Sequence, residues 1–230
     1  MPEITIETPD GRFGAYLAIP ASASGAGIVL IQEIFGVNKF MRDVADDYAT
    51  KGYMALCPDL FWRQQPGVQL TDQTEAEWQQ ARQYMQGFDV AKGVADLIAT
   101  LQHLRTLKGC SGKVGTVGYC LGGKLAYLMG TRSDADCNVS YYGVGLQDLL
   151  DEAAKIEHPL MLHIAEEDQS VPKEAQVKIT SHLANHPQVT IHKYPGMAHA
   201  FARVGGKNYN KQAADTANHR TVDFLKQHLC

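Results

Sequence analysis

Short apolar runs alternate along the chain with longer stretches in which apolar residues return every three or four positions. At the start, apolar and polar residues alternate on either side of Pro9-Asp10-Gly11. This predicts an antiparallel hairpin of Ile4 to Glu7 with Ala15 to Ile19, at the edge of a sheet. Gly27 to Ile31 is apolar throughout, as in a strand covered on both faces. Further strands are expected at Tyr53 to Cys57, Lys113 to Gly118, Asn138 to Tyr142, Pro159 to Ile164 and Val189 to Tyr194. From Lys39 to Thr50, Phe40, Val44 and Tyr48 mark one face of a helix that stops at Gly52. A longer helix, about Asp89 to Leu107, is expected to turn Val90, Val94, Leu97, Ile98, Leu101 and Leu104 inward. Between them, the segment at about 60–88 is rich in Gln and aromatic residues and holds Thr74-x-x-Glu77, a capping-box pattern, so it reads as a helical excursion over one end of the sheet. Helices are also expected after Gly123, after Val171-Pro172, and up to about Leu229. Alternating strands and helices imply the α/β class: a mostly parallel, doubly wound sheet with an N-terminal antiparallel hairpin.

The 230 residues suffice for one buried core, so a single domain over 1–230 is expected. A net charge of −4 leaves no basic surplus, which argues against nucleic acid as a partner. The N-terminal residues lack the basic start and apolar run of a secretory signal, and no apolar segment approaches membrane-spanning length. No membrane association is expected, and the cytoplasm is the expected location. Five cysteines, at 57, 110, 120, 137 and 230, are odd in number and contain no C-x-x-C pair. That pattern argues against a disulfide framework or structural zinc. No histidine pair has zinc spacing, no metal or cofactor is expected, and without a sustained heptad a monomer is expected.

One cysteine has distinctive surroundings. Gly118-Tyr119-Cys120-Leu121-Gly122-Gly123 falls between the apolar run Val114 to Val117 and the helical run Lys124 to Met129. Strand, sharp turn and helix form the context in which a G-x-S-x-G turn presents a nucleophile, here with Cys in the Ser position. Glycines are needed because a strained turn pressed against neighbouring backbone has no room for side chains. A helix start also favours the thiolate, the reactive form of cysteine. Cys57, inside a strand run, reads as ordinary core.

An acid follows within Ala165-Glu166-Glu167-Asp168-Gln169-Ser170-Val171-Pro172, on the loop after a late strand. Asp168 leads because D-x-x-V-P sets it at the turn into the next helix, with Glu166 and Glu167 as competitors. Of nine histidines, His199 stands in the loop after the last strand. Nucleophile, acid, histidine is the chain order of α/β-hydrolase triads. His103 and His163 read as core histidines, and His182, His186, His192, His219 and His228 as surface residues.

With these positions in place, the chain resembles the dienelactone hydrolases, or carboxymethylenebutenolidases. The shared segments are QEIFG (32 to 36), GKVGTVGYCLGG (112 to 123), YYGVG (141 to 145), EDQSVP (167 to 172) and GMAHAFAR (196 to 203). The resemblance implies an α/β-hydrolase fold that opens a small unsaturated lactone to an oxoacid through a cysteinyl acyl-enzyme, without cofactor or metal. It assigns the triad to Cys120, Asp168 and His199. It also makes Glu33 a carboxylate that disfavours the Cys120 thiolate until substrate arrives. The oxyanion would be held by the backbone N–H of Leu121 and one near Ile34. Phe35 and Tyr142, in two of the shared segments, are expected at the substrate.

Family members hold the substrate carboxylate with two arginines. Arg203 matches one, and its planar fork suits a carboxylate. The other falls on Trp78, with Arg82 one turn further along the same helix face as the candidate to replace it. Ala200 and Glu166 also depart from the family's usual choices. The expected partner is a carboxylated small-molecule ester or lactone. Two alternatives stay open: a broader carboxylesterase or thioesterase, and a redox-sensing or binding protein on the same scaffold.

Overall fold

The structure, a computed structural model, describes residues 3–230. Its contacts gather into two compact units, one ending at Thr116 and the other spanning Val117–Cys230.

In the first unit, β1 (Glu3–Thr8) and β2 (Gly11–Ala18) form the antiparallel hairpin. Strand β2 then pairs antiparallel with β4 (Met54–Pro58), and β4 pairs parallel with β3 (Gly25–Ile31), giving the order β1-β2-β4-β3-β5. Strand β5 (Cys110–Tyr119) contains the boundary between the units. It starts earlier than its apolar run because Ser111 to Lys113 are exposed, and a polar overhang leaves no hydrophobic trace in the sequence. Ile28 to Ile31 are fully buried, which is why β3 is apolar without alternation.

Helix α1 (Lys39–Thr50) is capped by Asn38, whose side chain accepts from the Met41 N–H at 3.2 Å. Its innermost residues are Met41, Ala45 and Tyr48. Phe40 and Val44 flank that stripe half-buried, so the sequence pattern placed the inward face one position early. In α2 (Glu75–Gln86), Thr74 caps the Glu77 N–H at 3.2 Å, but the Glu77 carboxylate reaches back to Thr71, bonding its N–H at 2.8 Å and its hydroxyl at 2.7 Å.

Helix α3 (Val90–Thr106) buries Val94, Leu97, Leu101 and Leu104 as expected, but it also buries Asp96 and Thr100, while Val90 and Ile98 are only half-buried. Asp96 is tolerated because it accepts from Trp62 Nε1 at 2.9 Å and pairs through both oxygens with Arg63, which also reaches Asp10 at 3.0 Å. Removing one partner of such a buried pair costs about 3–5 kcal/mol. The hydrophobic period misses this anchor because its stabilisation comes from charge pairing.

In the second unit, β5 is followed across the sheet by β6 (Asn138–Tyr141), β7 (Leu160–Ala165) and β8 (Val189–Tyr194), with β6–β7 and β7–β8 parallel. Helix α4 (Leu121–Arg132) buries every residue from Leu121 to Thr131 except Lys124, so its sequence is apolar on all sides. Two short 3-10 turns, Leu146–Asp148 and Leu150–Lys155, precede β7. Helices α5 (Lys173–Leu183) and α6 (Lys211–Leu229) complete the unit. Among the described residues no helix is long and apolar enough to cross a membrane.

Candidate active site

Cys120 stands at the junction of β5 and α4 with φ 57° and ψ −114°, in the left-handed region that disfavours a side chain. The sequence makes this turn possible by removing side chains around it. A Cβ on Gly118 would lie 1.9 Å from the Gly122 carbonyl oxygen, and one on Gly123 would lie 2.6 Å from the Tyr141 carbonyl oxygen. The Cys120 N–H donates to that Tyr141 oxygen at 3.1 Å, which ties the turn to the end of β6. The thiol makes no capping bond to α4, so the amides of the first helical turn, Leu121 included, can face an anion.

Asp168 and His199 lie on the loops that follow β7 and β8. The loops are joined through backbone: Glu166 N–H to Tyr194 O at 3.1 Å, and Glu167 N–H to Met197 O at 2.8 Å. Of the three neighbouring acids, Asp168 turns inward, while Glu167 pairs with Lys173 in solvent at 3.2 Å. One Asp168 oxygen accepts from the N–H groups of Ser170 at 2.7 Å and Val171 at 3.3 Å; the other meets His199 Nδ1 at 2.7 Å. Nδ1 is thereby occupied, which leaves Nε2 for the Cys120 sulfur.

The electrostatics of His199 reflect this pairing. Burial would lower its pKa, but negative charge on Cys120 and hydrogen bonds to Asp168 and Cys120 outweigh it and push the value up to about 10. His199 is therefore favoured as the imidazolium, with Asp168 on one side and Cys120 on the other. The His199 backbone oxygen is held by Asn208 Nδ2 at 2.9 Å, and its ring packs edge-on to Tyr142 at 5.1 Å between centroids.

Strain is concentrated here. Of four described non-glycine residues with positive φ, three are Cys120, Tyr142 (38°) and Ala200 (62°). Tyr142 was expected at the substrate; its ring lies against His199 and, at 5.7 Å, Phe201. Arg203 is buried, at the end of a tight turn in which its N–H donates to Ala200 O at 3.0 Å.

The remaining sequence candidates belong to the first unit. Glu33 and Ile34 are buried just past β3, and Gln32 Nε2 donates to the Glu33 carbonyl at 3.3 Å. Phe35 packs edge-on against Trp78 at 5.0 Å, and Trp78 Nε1 donates to Asp72 O at 3.1 Å. Arg82 lies over the Trp78 ring at 5.8 Å with its guanidinium paired to Glu75 at 2.7 Å, and both charged groups are well exposed. The sequence carries no sign of Tyr141 as the acceptor for the Cys120 turn, since a backbone carbonyl leaves no sequence signal. His163 reads there only as core.

A mostly parallel sheet with a cysteine on the tight turn from β5 to α4, followed by loops bearing an acid and a histidine, defines an α/β-hydrolase fold. The dienelactone hydrolase family model matches residues 13–229, and the chain belongs to that family. A relative from Azospirillum brasilense is 50% identical over 222 residues, covering 96% of this chain and 95% of its own. A protein named carboxymethylenebutenolidase from Pseudomonas putida is 42% identical over 223 residues, covering 96% and 94%. A solved structure from Klebsiella pneumoniae superimposes with a TM-score of 0.86 at 25% identity, covering 98% of each chain.

Proposed function

We propose that this protein is a cysteine-dependent carboxylic ester hydrolase that opens a small lactone. The observation that carries the reading is the 2.7 Å bond from His199 Nδ1 to buried Asp168, in a histidine coupled to a cysteine on a strained strand-to-helix turn. A binding protein has no use for that combination. The name carried by the Pseudomonas putida relative supports the lactone as substrate.

The Cys120 thiolate adds to the ester carbonyl, and the oxyanion that forms is stabilised by the Leu121 N–H at the start of α4. Collapse breaks the carbon–oxygen bond of the ring, and the departing oxygen takes the proton from imidazolium His199. In a lactone the alcohol or enol stays tethered to the acyl group. Water then adds to the thioester while His199 takes its proton; the C–S bond breaks, releasing the acid and restoring the thiolate. Asp168 holds the tautomer and stabilises the imidazolium throughout. Arg203 is the proposed anchor for a substrate carboxylate, worth about 1.5–3 kcal/mol as a charged hydrogen bond. The roles of Glu33, Ile34, Phe35 and Trp78 rest on the family resemblance. Arg82, paired with Glu75 at the surface, gains no support as the replacement anion contact. All five cysteines are free thiols, which suits a reducing compartment such as the cytoplasm.

The test is Cys120→Ala assayed with a reactive aryl ester and with an unsaturated lactone bearing a carboxylate. Loss of both activities with unchanged circular dichroism is expected. Undiminished hydrolysis in the variant would sink the proposal.

A further inference from the structure

Six side chains of the second unit, none in the candidate triad, join in one hydrogen-bonded chain. Arg220 Nη1 lies 3.3 Å from Tyr194 Oη, which lies 2.8 Å from His163 Nδ1. His163 Nε2 lies 2.9 Å from Thr221 Oγ1, which lies 2.7 Å from Tyr141 Oη, and that phenol donates to Asn218 Oδ1 at 3.0 Å.

The donors impose one direction on it. A guanidinium only donates, so the Tyr194 oxygen accepts from Arg220. Tyr141 gives its proton to Asn218, so Thr221 gives its own to Tyr141 and must accept from His163 Nε2. The neutral ring therefore accepts the Tyr194 proton at Nδ1. His163 is fully buried, and burial, then the charges of His192 and Arg220, keep its pKa well below the ordinary histidine value. It stays neutral, as the direction requires.

The far end of this chain meets the nucleophile. The Tyr141 carbonyl receives the Cys120 N–H at 3.1 Å, and the Tyr141 ring stacks on Tyr119 at 4.6 Å, one residue before the nucleophile. The next residue, Tyr142, holds its strained φ with its ring against His199. The end of β6 is therefore where the nucleophile turn and the histidine are both aligned. The Tyr141 side chain is fastened to α6 by this chain.

We propose that Tyr194, His163 and Thr221 are positioning residues, acting through Tyr141 on the backbone that holds Cys120 and through Tyr142 on the His199 ring. The role in turnover rests on the reading of Cys120 as nucleophile. The positioning itself is measurable without turnover.

Thr221→Val keeps the shape and deletes the hydroxyl; Thr221→Ser restores it. In the Val variant, kcat should fall about tenfold with KM little changed, as for a small misplacement of reacting groups. The pH profile of Cys120 alkylation by iodoacetamide should move to higher pH, and the Ser variant should return both. Tyr194→Phe, which removes the donor to His163, should reproduce the loss if the Val variant does not fold. Nitrogen NMR of His163 should show a neutral ring protonated on Nε2 from pH 5 to 9. A folded Val or Phe variant with lowered melting temperature but unchanged kcat and alkylation profile would overturn the proposal, as would a His163 that titrates near its ordinary pKa. If the parent protein hydrolyses no ester, the functional reading fails, and the alkylation profiles still decide the positioning role.

Discussion

His199 is held between two acceptors of different kinds, and its protonation follows from both. Asp168 gives it a fixed partner at Nδ1, and Cys120 gives it a charge that appears and disappears with the thiolate. Replacing Asp168 by Asn preserves shape but removes the charge and the constraint on the tautomer. Activity should fall by up to about 10⁴-fold, as for a triad that loses its acid. With one raising influence gone, the alkaline limb of the kcat profile should move to lower pH. A pH–rate series on both proteins tests this, and a limb that stays near pH 10 would rule out Asp168 as the controlling carboxylate. The sequence could offer Cys120, Asp168 and His199 as candidates because each falls just past a strand, where this fold presents chemistry, and the structure joins Asp168 to His199. The roles proposed for Tyr141 and His163 left no such trace: Tyr141 holds the Cys120 turn by its backbone carbonyl, and His163 looks like any satisfied core histidine.

At the scale of elements, the joint between β5 and α4 is tightly constrained, with a positive φ at Cys120 and backbone pressed against backbone on either side of it. Gly118 and Gly123 let backbone approach backbone there, and their spacing made the turn readable without structure. A Gly118→Ala substitution would force its Cβ to within 1.9 Å of the Gly122 oxygen, so the turn must open. Overpacking of this kind costs about 1–3 kcal/mol, and in a chain of this length each kcal/mol lowers Tm by about 2–4 °C. Activity should fall further than that cost alone implies, because the shift occurs at Cys120 itself. Calorimetry together with an ester assay separates the two effects; a variant with native activity and native Tm would mean the turn is not strained. The helices were less legible than the strands. A period of 3.6 cannot distinguish Phe40 from Met41 as the centre of a broad apolar face, and it ranks Asp96 as solvent-facing when Arg63 and Trp62 make it a buried anchor.

At the scale of the whole molecule, the titrating groups set how stability depends on pH. The His199 pKa is raised from 6.5 to about 10, so between those values this imidazole keeps in the folded state a proton that it loses in the unfolded state. The contribution of His199 to stability then falls with rising pH across that window, fully present below 6.5 and lost as pH passes about 10. Tyr16 and Tyr127, each pushed up to about 12 chiefly by burial, extend the alkaline loss beyond pH 10. Buried His163 acts in the opposite direction: its pKa is lowered, so below pH 6.5 the unfolded chain takes a proton that the fold refuses, and stability falls with acid. Urea unfolding of the parent protein and His199→Ala at pH 6, 8 and 10 isolates the first effect. The parent's margin over the variant should be largest at pH 6 and shrink steadily to pH 10. A margin that grows with pH would mean that His199 is neutral in the folded protein, and the thiolate–imidazolium pair on which the proposed chemistry depends would go with it.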